Sequence, residues 1–154
     1  MFTALTLQQL CEFNILLNAI TVPKKWIARK VNSKDNHLMT LKDLIAQAHT
    51  VVPKISCQSF LENSEKYFVI DVREGTEILE TGSIANAVNI PRGLIEMKLA
   101  PTNDDKGLNA NTPIIVYCGG GSRASLAGKT LMELGFKNIQ NLEGGYRGWK
   151  EFSS

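Results

Sequence analysis

Ile114-Ile115-Val116-Tyr117-Cys118-Gly119-Gly120-Gly121-Ser122-Arg123-Ala124 joins a β-branched run to three glycines and then to a helical pattern. A strand that is apolar at every position is covered on both faces, so the run predicts a parallel sheet sandwiched by helices. Beyond Arg123, the residues Ala127, Leu131 and Leu134 recur at helical spacing. Gly135 stands where a left-handed residue ends a helix, and Phe136 follows, able to fold back on Leu131. Residues 114–135 are therefore expected to form one strand–loop–helix unit.

Working outward, Tyr67-Phe68-Val69-Ile70-Asp71 and Ala87-Val88-Asn89-Ile90 are further short apolar runs. Asn138-Ile139-Gln140-Asn141-Leu142 is a weaker one, and Ile55-Ser56 adds a short piece. Helical segments are expected near 58–63, 74–80, 92–99 and 123–134. The first fifty residues read differently. Thr6 and Gln9 resemble a capping box, followed by Leu10, Phe13, Leu17 and Ile20 at helical spacing until Pro23. Lys24, Lys25, Arg29, Lys30 and Lys34 occur without an acid and read as a solvated linker. A second helix is expected from a Thr40 cap to about His49, with Leu41, Leu44, Ile45 and Ala48 buried. The expected organisation is a helical extension and linker over 1–50 and an α/β domain over 51–154.

Composition excludes several classes. With 154 residues, 44% apolar and 21% charged, the chain has the balance of a globular protein with one well-buried domain. A net charge of +2 gives no electrostatic case for nucleic acid or a membrane surface as partner. The N-terminal apolar residues are interrupted by Gln8, Gln9, Glu12, Asn14 and Asn18, too often for a membrane span or a secretory signal. Cys11, Cys57 and Cys118 form no CxxC pair and leave an odd thiol, which suits a reducing, cytoplasmic setting. His37 and His49 form no ligand cluster, so no metal is expected.

The loop from Cys118 to Arg123 carries the chemistry. A cysteine at the carboxyl end of a parallel strand lies where open α/β sheets bind ligands. Gly119, Gly120 and Gly121 let successive N–H groups converge on one concavity, and the helix starting near Ser122 adds the positive end of its dipole. Such a cradle favours thiolate over thiol. Arg123 supplies a cation suited to an anionic substrate, and Ser122 can donate a hydrogen bond or cap the helix. Taken singly, each part has a plainer reading: a small core cysteine, a flexible turn, a surface arginine. Their conjunction in six residues favours the functional one.

Tyr117-Cys118-Gly119-Gly120-Gly121-Ser122-Arg123-Ala124-Ser125, continued by Leu142-Glu143-Gly144-Gly145-Tyr146-Arg147-Gly148-Trp149, resembles the C-terminal signature of rhodanese domains. Ile70-Asp71-Val72-Arg73 with Glu77, Gly82, Ile84, Ala87, Asn89, Ile90 and Pro91 resembles their upstream signature. The resemblance spans roughly residues 54–152 and implies a rhodanese-like three-layer sandwich. In that fold a five-stranded, mostly parallel sheet has helices on both faces. It also implies a persulfide on Cys118 held by the amides of Gly119 to Arg123. Two positions depart from the pattern: Ser83 replaces a histidine, and Asn86 replaces a glycine. Asparagine tolerates a left-handed backbone, so the turn at 86 can survive. Asp71, Arg73 and Glu77 are read as supports, Asp71 capping the next helix and Arg73 pairing with Glu77 one turn on.

The implied reaction is sulfur transfer without a metal or organic cofactor. A donor such as thiosulfate or a persulfide gives sulfur to Cys118, and cyanide or a thiol removes it. The related phosphatases carry one residue more between cysteine and arginine, and the six-residue loop here fits a single sulfur atom better. A phosphatase or arsenate reductase is the rival enzyme class, and a non-catalytic sulfur-relay or binding module the rival from outside enzymology.

Overall fold

The computed structural model describes residues 38–99 and 107–154. The helix expected over 6–20, the basic linker, Cys11 and His37 lie outside the described residues. Among the described residues there are five strands: β1 (Lys54–Ile55), β2 (Phe68–Asp71), β3 (Val88–Asn89), β4 (Ile114–Tyr117) and β5 (Ile139–Leu142). They form one sheet in the order β1-β5-β4-β2-β3, and every pairing is parallel. The helices are α1 (Leu41–Val51), α2 (Cys57–Leu61), α3 (Gly75–Thr81), α4 (Ile95–Lys98), α5 (Ser122–Glu133) and α6 (Gly145–Phe152). Ser64–Lys66 and Arg92–Leu94 are 3₁₀ turns, the second leading directly into α4.

Side chains on successive residues of β4 point to opposite faces, which accounts for the unbroken apolar run. Ile114, Val116 and Cys118 join Ile70, Ala124, Ala127, Leu131 and Ile139 in one core layer. Ile115 and Tyr117 join Val69, Phe60 and Leu142 in the other, with Trp149 packed at its edge. The three-layer α/β sandwich expected from the sequence is the observed fold.

α5 ends as its sequence requires. Gly135 has φ 105°, the Phe136 N–H donates to Leu131 O at 3.1 Å and the Gly135 N–H to Met132 O at 3.0 Å. This is the Schellman pair that satisfies the last carbonyls, and it buries Phe136 against the layer containing Leu131.

Two expectations at the amino-terminal side need correction. Thr40 does cap α1, its hydroxyl accepting from the Asp43 N–H, but Leu41 and Leu44 are exposed and only Ala48 is fully buried. Moreover, α1 packs on α5, and residues 39–154 form one compact unit. The helix therefore belongs to the α/β domain rather than to an extension ending at 50. The reason is local: Gly128 of α5 leaves a notch that Val52 fills, since a Cβ there would lie 2.8 Å from Val52 Cγ1.

Candidate active site

Parallel strands in register end at one edge of the sheet. Asp71 pairs with Tyr117 and Asn141 with Val116, so the segments after β2, β4 and β5 all emerge beside Cys118. Cys118 is 2% exposed at the floor of a loop that runs into α5. The Gly121 N–H points at Cys118 Sγ, 3.1 Å away. Gly121 has φ 100° and is itself the residue preceding α5, so Ser122 does not cap the helix; it is the first helical residue.

The carbonyls of the loop are tied back from outside. The Tyr146 N–H donates to Cys118 O at 2.7 Å, and the Arg147 N–H and Nε both donate to Gly119 O, at 3.2 and 3.1 Å. Gly121 O accepts from the Ser125 N–H, Ser125 Oγ and Asn141 Nδ2. With these oxygens tied back, the Gly121 N–H is left aimed at Sγ, and a backbone N–H directed into a concavity attracts an anion. Gly145 makes this possible: it has φ 59°, and a Cβ there would collide with Cys118 O.

The supporting residues are paired differently from the sequence expectation. Arg73 binds Asp71, not Glu77: Nε and the backbone N–H donate to Asp71 Oδ1 at 3.0 Å, and Nη2 to Oδ2 at 2.6 Å. Asp71 thus serves the arginine rather than capping α3. Both are buried, and Arg73 completes its bonds on Thr81 Oγ1 and Gly82 O, as a desolvated ion pair requires. Its guanidinium stacks 4.1 Å from the ring centre of Tyr146, whose hydroxyl donates to Thr81 O. Glu77 instead forms a two-pronged pair with Arg123, Nη2 donating to Oε1 at 2.7 Å and Nη1 to Oε2. The Arg123 guanidinium holds the Glu77 carboxyl down at about 2. Arg123 therefore enters the site with its charge already compensated.

Tyr117, buried beneath the loop, accepts a hydrogen bond from the Ile84 N–H at 3.1 Å, and burial pushes its phenol up to about 12. Asn86 adopts φ 62°, so asparagine keeps the left-handed turn that glycine would otherwise make. Cys57 is half-buried on α2, and burial followed by the Glu143 charge raises its thiol above the ordinary value.

Over the loop lies a pocket of about 400 Å³ lined by Glu77, Glu80, Gly119, Gly120, Arg123 and Arg147, with Arg73, Thr81 and Tyr146. A smaller apolar cleft of about 200 Å³ between Phe60, Tyr67, Ile84 and Trp149 shares no residue with it. Tyr146, Arg147, Gly145 and Asn141 had no assigned role in the sequence reading. The signal available was the second strand-to-glycine junction, Leu142-Glu143-Gly144-Gly145, which repeats the pattern of the first on a neighbouring strand. No group of three or more His, Cys, Asp or Glu among the described residues is placed to hold a metal ion, and no helix among them is long and apolar enough to cross a membrane.

A family model described as a rhodanese-like domain matches residues 56–152. The chain belongs to the rhodanese-like domain family. It is 34% identical over 101 residues to a putative sulfur carrier protein of Bacillus subtilis, covering 64% of this chain and 51% of that one. It is 37% identical over 90 residues to a putative mitochondrial thiosulfate sulfurtransferase of Schizosaccharomyces pombe, covering 54% of this chain and 63% of that one. The chain thus spans about half the length of the first relative and less than two thirds of the second. A solved structure of a human single-domain sulfurtransferase matches with a TM-score of 0.56 at 26% identity, covering 67% of this chain and 99% of that one. One of these relatives carries the name of a sulfur carrier and two carry the name of sulfurtransferases.

Proposed function

We propose that the chain is a sulfurtransferase that moves a sulfane sulfur from a donor such as thiosulfate to a thiol or cyanide through a persulfide on Cys118. The observation that carries this reading is the Gly121 N–H aimed at Sγ from 3.1 Å, in a loop whose carbonyls are held outward. In the first half-reaction the Cys118 thiolate attacks the outer sulfur of thiosulfate. A sulfur–sulfur bond forms on Cys118, the bond to the sulfonyl sulfur breaks, and its electron pair leaves with sulfite. The loop amides of Gly119 to Arg123 take the charge of the persulfide anion, and the dipole of α5 adds to it. In the second half-reaction an acceptor thiolate or cyanide attacks the outer sulfur, and the electron pair returns to the Cys118 thiolate. Every step uses the thiolate, the donor and the acceptor, a ping-pong sequence.

Brief exposure to thiosulfate, followed by intact-mass measurement and peptide mapping, tests the reading. One sulfur atom is expected on Cys118, removable by cyanide, and none on Cys57, whose raised thiol leaves little thiolate. Cys118→Ser is expected to take up no sulfur while staying folded. A persulfide that forms but is passed on without multiple turnover would place the chain with sulfur carriers, the name of one relative. Hydrolysis of an aryl phosphate through Cys118, without sulfur uptake from any donor, would overturn the proposal.

A further inference from the structure

Three arginines line the pocket beside Gly119 and Gly120, the residues that follow Cys118, and they differ in what remains of their charge. Arg73 is buried against Asp71 and satisfied by Thr81 and Gly82. Arg123 is held two-pronged by Glu77. Arg147 has no carboxylate: its Nε donates to Gly119 O, and neither terminal nitrogen has an acceptor among the described residues. Of five N–H donors, four remain for a ligand. Its position is set by the loop itself, because the guanidinium occupies the space that a side chain on Gly120 would need. Glu80 lines the same pocket without an ion pair to Arg147, so this charge is not quenched.

We infer that Arg147, not Arg123, is the residue that selects donors bearing an anionic group beyond the sulfur to be transferred. The inference rests on the sulfurtransferase reading and names a substrate class of that site: persulfides that carry a remote carboxylate or sulfonate. A persulfide R–S–SH whose outer sulfur is attacked by the Cys118 thiolate loses that sulfur as Cys118–S–SH and releases R–S⁻. The atoms and charge balance with no further reactant. While the outer sulfur sits over Sγ, the remainder of the donor lies toward the rim, where the Arg147 fork can receive a carboxylate or sulfonate. An uncharged R group leaves that fork in water and gains nothing from it.

The test compares two persulfides of similar size, those of mercaptopropionate and mercaptoethanol, which differ in carrying a remote carboxylate. Sulfur loading of Cys118 is followed by mass for the wild type, Arg147→Gln and Arg147→Lys. The wild type is expected to prefer the carboxylate donor in kcat/KM by about tenfold, a preference that fades with added salt because the arginine is exposed. Arg147→Gln also loses the Nε bond to Gly119 O, so some loss is expected with both donors, but about tenfold more with the carboxylate donor than with the uncharged one, and Arg147→Lys is expected to recover part of that difference. Equal losses on both donors would reduce Arg147 to a support for Gly119 and overturn the inference while leaving the sulfurtransferase reading intact. A wild type that loads from both donors at one rate would also overturn it. No loading from either donor would overturn the inference, and a parallel failure to load from thiosulfate would sink the sulfurtransferase reading with it; an unchanged preference in Arg147→Gln would return selection to Arg123.

Discussion

Glu77 shows how one carboxylate fixes the chemistry available to its partner. It lies on α3, the helix that follows β2, and reaches across the sheet edge to Arg123, while its Oε2 also accepts from the Glu74 N–H at 3.1 Å. A carboxyl held at about 2 in the folded protein, against an ordinary 4.5, favours folding above pH 4.5. That contribution is lost as pH falls from 4.5 toward 2. The side chains are 39% and 36% exposed, so solvent screens the pair, and it is worth on the order of 1 kcal/mol or less. Thermal unfolding of the wild type is therefore expected to decline through this window more steeply than that of Glu77→Gln. Parallel curves would show that the pair contributes nothing to stability. Residue pairs of this kind also explain why a cation in a loop is no guide to the charge of a ligand: Arg123 is already paired with Glu77.

At the scale of elements, α5 is held at both ends by backbone geometry and in the middle by α1. Gly121 starts it with φ 100°, Gly135 ends it with φ 105°, and Gly128 receives Val52 between them. A Cβ at 128 would also lie 3.3 Å from Ile139 Cγ2, so the notch is closed on two sides. Gly128→Val is expected to push Val52 and α1 away and to destabilise the domain by about 1–3 kcal/mol, the usual cost of overpacking. Denaturant unfolding would measure this. The companion change Val52→Ala should recover part of the loss in the double variant, whereas additive losses would mean that the two residues do not share the site. Because α5 carries Arg123 at its first turn, displacement of the helix is also expected to lower the rate of sulfur loading on Cys118.

For the molecule as a whole, residues 39–154 form one compact unit. A chain of residues 39–154 is expected to fold cooperatively and to load sulfur on Cys118. A chain beginning at Val52 lacks α1 and leaves the α5 face around Gly128 uncovered. It is expected to unfold at a temperature several degrees lower, since about 1 kcal/mol shifts a domain of this size by a few degrees. Circular dichroism melts of the two truncations against the full chain check both expectations. An insoluble or inactive 39–154 chain would show that residues before Met39 complete the fold.

The three layers were legible because their cause is local. A β-branched run apolar at every position and bounded by Pro113 and Gly119, as at 114–117, reads as a strand covered on both faces, and Gly135-Phe136 is a helix stop whose geometry follows from residue type. The loop was legible for the same reason, as cysteine, three glycines and a helix start are adjacent in the chain. Asn86 was read correctly as a tolerated left-handed residue, since that depends on one side chain. What the sequence could not determine was who pairs with whom. Arg73 and Glu77 are one helical turn apart, yet each took a different partner, because Asp71 at the strand end lies beside Arg73 and the β4 edge brings Arg123 to Glu77. Exposure on α1 was misread because helical spacing shows which residues share a face but not how much of that face a neighbour covers. The free charge at Arg147 was invisible for the same reason. Charge compensation is a property of three-dimensional neighbours, and those are set by strand register, which carried Glu143 to Arg147 from β5 to the side of Cys118.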